Sequence, residues 1–225
     1  MKRLFLTAAL LAISASTSAM FDRIDIGNFS AGSLNGWESK SFVGQTEYNI
    51  EQKDGQSVLV ANSYGSASGL GRKVTVELTK TPYVNWSWRV DRKLPVLDET
   101  VKSGDDYAAR LYVVKSGGAL VWNTKALNYV WSGSQSREAT WPNAFKPKNS
   151  VMLAARGAED STGVWQQEKR NVREDFKRMF GKDIKSIDAI AIMTNTDNSG
   201  LRATCLLYTS PSPRVQRGSR MPSSA

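Results

Sequence analysis

The sequence predicts an all-β, mainly antiparallel sandwich or jelly roll, of the galactose-binding or lectin-like kind, carrying one short helix. Three observations lead there. Tyr83–Asp91 (YVNWSWRVD) and Lys102–Val114 (KSGDDYAARLYVV) alternate apolar and polar residues with the two-residue period of half-buried strands. Further strand-length runs are separated by turns rather than by helices, which disfavours a parallel sheet. Helical periodicity occurs once, near residues 172–180.

The chain opens on a leader. Lys2 and Arg3 are basic, Leu4–Ile13 is apolar, and Ser14–Ala19 is a run of small residues with Thr17 and Ala19 at the −3 and −1 positions of a cleavage site. Residues 1–19 therefore read as a signal peptide cleaved after Ala19, implying a periplasmic or secreted protein. No later stretch reaches the ~20 apolar residues of a membrane span. The body, residues 20–203, reads as one β-sandwich domain. Phe21–Ile26 is a short strand, and Ala31–Trp37 a turn with an apolar anchor. Asn49–Gln52 and Ser57–Ala61 flank a Lys53-Asp54-Gly55 hairpin turn. Ser63–Gly71, small and polar, reads as a loop, and Lys73–Leu78 as a strand.

Tyr83–Asp91 and Lys102–Val114 then read as neighbouring central strands of one sheet. Trp86, Trp88 and Val90 face the core from the first, and Tyr107, Ala109, Leu111 and Val113 from the second. Arg89, Asp106, Arg110 and Tyr112 are left on the polar faces. Ala119–Trp122, Ala126–Ser132 and Val151–Arg156 follow as strands, with a long loop over Gly133–Phe145. Asn171 as N-cap, Glu174 three residues on, Val172, Phe176, Met179 and Phe180 at helical spacing, and Gly181 as stop define the helix. Ile187–Met193 is a buried strand. From Thr204 the chain holds three prolines, no acid and no evident periodicity, and reads as a disordered tail. Its LLYTSPSPR and SRMPSSA segments resemble sequencing-adapter read-through, so residues 204–225 are expected to be non-native and a C-terminal strand to be missing.

Composition narrows the chemistry. The chain of 225 residues has a net charge of +9, but discounting Lys2, Arg3 and the tail's Arg214, Arg217 and Arg220 leaves 25 basic against 21 acidic residues. That balance, with no block of like charge, is not that of a nucleic-acid binder. Histidine is absent, which excludes a Ser-His-Asp triad, a Cys-His pair and His-ligated metal. The single cysteine, Cys205, excludes an internal disulfide. Catalysis, if any, falls to carboxylates, Lys or Tyr.

GDDYAARLYVV, NWSWRVD, ALNYVWS, WQQEKRNVREDF and AIMTNTDNSG together resemble the bacterial exported family called domain of unknown function 3047, over roughly residues 21–203. The family pattern carries an aspartate where Asn195 stands. The resemblance implies an exported β-rich domain and no established activity.

Candidate site residues fall into four sets. Arg89, Asp105, Asp106, Arg110 and Tyr112 could hold a ligand on a shared polar face, or form a structural ion-pair network. Trp141 and Asn143 lie in the long loop. Glu168 and Arg170 precede the helix and could face a ligand. Asn195, Asp197, Ser199 and Gly200 match positions 1, 3, 5 and 6 of a calcium loop, but position 12 is Leu206, so an Asx turn explains them more simply and Asp197 is the sole firm carboxylate for Ca2+. The reading that follows is a binding module for a glycan or small molecule, without a cofactor. The alternatives are a hydrolase or lyase using Asp106 and Glu168, or a structural envelope protein. No E-x-D-x-x-E signature of jelly-roll glycosidases is present.

Overall fold

The computed structural model describes residues 23–208. The leader and residues 209–225 lie outside them. The strands are β1 Glu38–Val43, β2 Glu47–Lys53, β3 Gln56–Tyr64, β4 Ala67–Glu77, β5 Tyr83–Val90, β6 Tyr107–Lys115, β7 Lys125–Trp131, β8 Thr140–Pro142, β9 Ser150–Arg156, β10 Gln166–Asn171, β11 Ser186–Asn195 and β12 Arg202–Tyr208. The helix α1, Val172–Phe180, lies between β10 and β11. The strands form a seven-stranded sheet in the order β1-β4-β11-β6-β7-β9-β8 and a five-stranded sheet in the order β10-β5-β12-β3-β2. All pairs are antiparallel except β7 with β9. This is the β-sandwich that the alternating runs predict.

The main core lies between the sheets. Trp86 and Trp88 from β5 meet Leu111 and Val113 of β6, Leu127, Tyr129 and Trp131 of β7, and Ile190 and Ile192 of β11. Trp88 stands edge-on to Trp86, at 5.2 Å between ring centroids, and 5.9 Å from Trp131. The hairpin turn is as predicted: Asp54 and Gly55 both have positive φ, 52° and 76°, matching the two-residue turn that a right-handed strand twist favours. The helix is also as predicted. Asn171 Oδ1 accepts from Glu174 N at 3.2 Å, and Gly181 ends α1 in the left-handed region at φ 63°.

Several expectations are corrected. The two central strands are not neighbours: β5 and β6 belong to opposite sheets, facing each other across the core. Alternation tells each strand which side is apolar, not which strand lies beside it. Tyr107 does not join Ala109 in the core. A bulge where Met193 pairs with Arg110 but Asn195 with Tyr107 puts both Ala108 and Ala109 inside and returns Tyr107 to the outer face, beside Arg110. Residues 63–71 are strand rather than loop, apart from the short β3–β4 connection, because their hydroxyls are buried and paired. Ser63 Oγ bonds Thr196 Oγ1 at 2.9 Å, and Ser68 Oγ accepts from Thr46 N at 2.8 Å. The Ala119–Trp122 strand is instead an exposed connection with a single 3-10 turn, Val121–Asn123. Of the strand expected over Phe21–Ile26, residues 23–26 form none, and the first two lie outside the described residues.

The largest correction is β12. The expected boundary at Ala203, and the expected loss of a C-terminal strand, do not hold for residues 204–208. Arg202–Tyr208 occupies the centre of the five-stranded sheet between β3 and β5. Ala203, Cys205 and Leu207 face the main core, while Leu206 packs with Val58 and Val60 on the other side. A strand buried on both faces has no apolar-polar alternation to read.

Candidate functional site

β6 positions the sharpest polar group. Arg110 points from the outer face of the seven-stranded sheet, where its Nη2 lies 3.1 Å from Asp105 Oδ2 and its Nη1 donates to Tyr112 OH at 2.6 Å. Its guanidinium also stacks 4.2 Å from the centroid of the Tyr107 ring. This group is roofed. Residues 99–106 fold over the face, and Asn143 Nδ2 reaches Asp105 Oδ1 at 3.5 Å from the β8–β9 loop. Trp141 packs with Tyr107, Val130 and Met152 in a second, smaller core, and donates from Nε1 to Glu99 O at 3.1 Å. Burial pushes the Asp105 carboxyl above its ordinary range, against the opposing pull of Arg110. Asp105, Arg110, Trp141 and Asn143 thus come together in an interior network, which joins two sets that the sequence left apart.

Arg89 is not among them. It lies on the other sheet, 3.3 Å from Asp91 and 3.5 Å from Asp54. Asp106 turns away from Arg110 and fastens the β11–β12 loop: Oδ2 accepts from Ser199 N at 2.7 Å, and Oδ1 from Asn198 Nδ2 at 3.1 Å. Asn195 Nδ2 donates to Asp105 O at 2.6 Å and to Asp106 and Asp197 oxygens at 3.2 Å each. Glu168 is not on a solvent face. It sits on β10, which sequence reasoning missed, and points inward to accept from Trp88 Nε1 at 3.0 Å and from Arg156 Nε across the sandwich. Arg170 holds Asp175 with two bonds of 3.0 Å, and Tyr129 OH donates to the same carboxylate at 2.8 Å. Asp106 and Glu168 share no partner.

Glu99 went unnoticed in the sequence, standing in an irregular segment with no periodicity. It is 2% exposed. Its carboxylate accepts from Gly133 N at 2.7 Å and from Ser132 Oγ.

The open part of the outer face lies on the other half of the sheet. Register places Glu38 of β1, Gly71 of β4, Ala191 of β11, Tyr112 of β6, Asn128 of β7, Met152 of β9 and Trp141 of β8 in one row. In that row Asn128, Met152 and Trp141 are buried under the roof, whereas Gly71, Ala191 and Tyr112 are partly exposed and Glu38 is exposed. The adjacent row begins Lys40, Gly69, Met193, Arg110. Small residues, Gly69, Gly71, Ala189 and Ala191, thus make a low strip of this face, a shallow trough by the size of its neighbours: Tyr112 and Met193 on one side, Glu38 and Lys40 on the other, and Lys73 beside Ala189. The small residues of this floor read in the sequence as loop or as anonymous core.

A family model described as "Protein of unknown function (DUF3047)" matches residues 35–209. The chain belongs to this family. The DUF3047 match runs through β12, in keeping with its place in the sheet. No curated protein matches the chain. Among solved structures, this DUF3047 protein is similar to a family 30 carbohydrate-binding module of a Clostridium thermocellum cellulosomal cellulase, at 13% identity and TM-score 0.44 over 76% of this chain and 87% of that one. It is also similar to a family 11 carbohydrate-binding module from Clostridium thermocellum, solved with a β-1,3-1,4-mixed-linked tetrasaccharide, at 10% identity and TM-score 0.40 over 79% and 88%. The likeness is one of architecture.

Proposed function

We propose that this DUF3047 protein is an exported binding module, with no catalytic pair, that holds a glycan chain in the trough on its seven-stranded sheet. The leader of residues 1–19 supports export, to the periplasm or beyond. The floor carries the reading: Gly69, Gly71, Ala189 and Ala191 offer backbone and methyl surface on which a flat sugar ring can lie, glycine being the residue that admits close backbone approach. The Tyr112 ring supplies an apolar wall for a pyranose CH face, and Glu38 and Lys40 supply an acceptor and a donor for hydroxyls at the rim. Asp106 and Glu168, each tied into its own structural network, give hydrolysis no pair of carboxylates flanking a cleft.

A glycan array followed by affinity electrophoresis tests this, with Gly71→Phe to fill the floor. A Cβ at Gly71 meets only the Ala191 Cβ, at 3.9 Å, so a side chain can leave the backbone here without a clash, and the melting temperature reports whether the ring is accommodated. Retardation of the parent by a glycan, weakened about tenfold or more by Gly71→Phe at unchanged melting temperature, is the result expected, for loss of a stacked ring. If no glycan retards the parent, or if Gly71→Phe binds as the parent does, the proposal fails.

A further inference from the structure

The β6–β7 connection holds three apolar side chains in water. Leu120, Val121 and Trp122 are 45%, 72% and 67% exposed. They are held in place rather than left loose: Asn123 N donates to Leu120 O at 2.8 Å, Thr124 N to Val121 O at 3.1 Å, and Gly117 N to Thr124 Oγ1 at 3.2 Å. Asn149 Nδ2 donates to Trp122 O, joining this tip to the β8–β9 loop. That second loop brings exposed Lys146 and Lys148, and Lys125 Nζ donates to Lys148 O and Asn149 Oδ1 at 2.7 Å each. Among the described residues no carboxylate pairs with Lys125, Lys146 or Lys148, and residues 116–124 and 143–149 contain no acid.

We infer that this end of the sandwich docks on an anionic lipid bilayer. Leu120, Val121 and Trp122 enter the headgroup region, and Lys125, Lys146 and Lys148 meet lipid phosphates. Tryptophan is suited to that boundary, being apolar over its ring and polar at one edge. A partner protein fits less well. A stable protein interface takes about 800 Å² per side, far more than one turn offers, whereas a bilayer accepts a small apolar tip whose hold is completed by lysines.

The test is sedimentation of the chain from Met20 onward, without the apolar leader, with phosphatidylcholine vesicles, with and without phosphatidylglycerol, alongside quenching of tryptophan fluorescence by brominated lipid. Phosphatidylglycerol vesicles are expected to carry the protein down and to quench it. Val121→Ser/Trp122→Ser is expected to lose about tenfold or more in partitioning through lost apolar burial. Lys146→Glu/Lys148→Glu is expected to lose a similar factor by charge reversal, and only on anionic vesicles. Both changes are on the surface, so melting temperatures stay at the parent value. Absence of binding to anionic vesicles overturns the inference, as does binding that survives both variants, which would place it elsewhere in the chain. Loss of a glycan contact in the tip variant with vesicle binding intact would assign the tip to carbohydrate and also overturn it. Gly71→Phe leaves vesicle binding unchanged, which keeps this result separate from that of the trough.

Discussion

Arg110 Nη2 stands 3.1 Å from Asp105 Oδ2, with the two side chains only 3% and 6% exposed, whereas Arg89, drawn from the matching position of the matching strand, pairs with carboxylates 78% and 48% exposed. One substitution made at both arginines should therefore have two outcomes. Arg110→Ala leaves the buried Asp105 unpaired and is expected to cost about 3–5 kcal/mol. Arg89→Ala is expected to cost at most about 1 kcal/mol. Urea unfolding of both variants checks this. Equal losses would mean that the two pairs share one environment.

Stability should also depend on the protonation of Glu99. Burial raises its pKa, and the hydrogen bonds from Ser132, Gly133 and Ser134 only partly offset that. With the folded value above the unfolded one, the native state binds the extra proton. The resulting stability is complete below the ordinary glutamate range and is lost as pH rises through the folded value. Asp105, raised by its own burial, acts in the same sense. Glu99→Gln is therefore expected to gain on the parent as pH rises from the ordinary glutamate value, about 4.3, towards neutrality. Melting temperatures of both across that range decide it, and a constant difference would refute it.

β12 gives the sharpest contrast with the sequence reading. A disordered tail from Thr204 could be removed without effect. A central strand could not. Leu207→Asp places a charge at a position 6% exposed in the main core and is expected to cost more than about 4 kcal/mol, or to abolish folding. Deletion from Thr204 onward is expected to yield insoluble protein. Circular dichroism and a melt on either variant would show it, and a parent-like melt would return residues 204–208 to the tail.

Glu168→Gln tests whether that carboxylate is structural. Its loss leaves Arg156 with Asp160, at 3.1 Å, as its remaining carboxylate partner beside the Gln167 carbonyl, and weakens the acceptor for Trp88 Nε1. A destabilisation of about 2–4 kcal/mol is expected, with glycan retardation unaffected where the protein is folded. Lost retardation at full stability would place Glu168 in the binding site instead.

The hairpin at Asp54-Gly55, the capped helix at Asn171–Gly181 and the apolar faces of β5 and β6 were legible in the sequence, because each depends on residues a few positions apart. Which strands become neighbours depends on contacts far apart in the chain. The tertiary structure alone therefore put Arg89 and Arg110 on opposite sheets, and closed Asp105, Asn143 and Arg110 under one roof. It alone turned Tyr107 outward through a bulge. The trough was hidden for a related reason. Gly69, Gly71, Ala189 and Ala191 carry almost no side-chain chemistry, and they form a surface only where β4 and β11 are laid side by side in register. β12 was missed because a strand buried on both faces shows no alternation, so only the gap between β3 and β5 reveals that Cys205, Leu206 and Leu207 have somewhere to go.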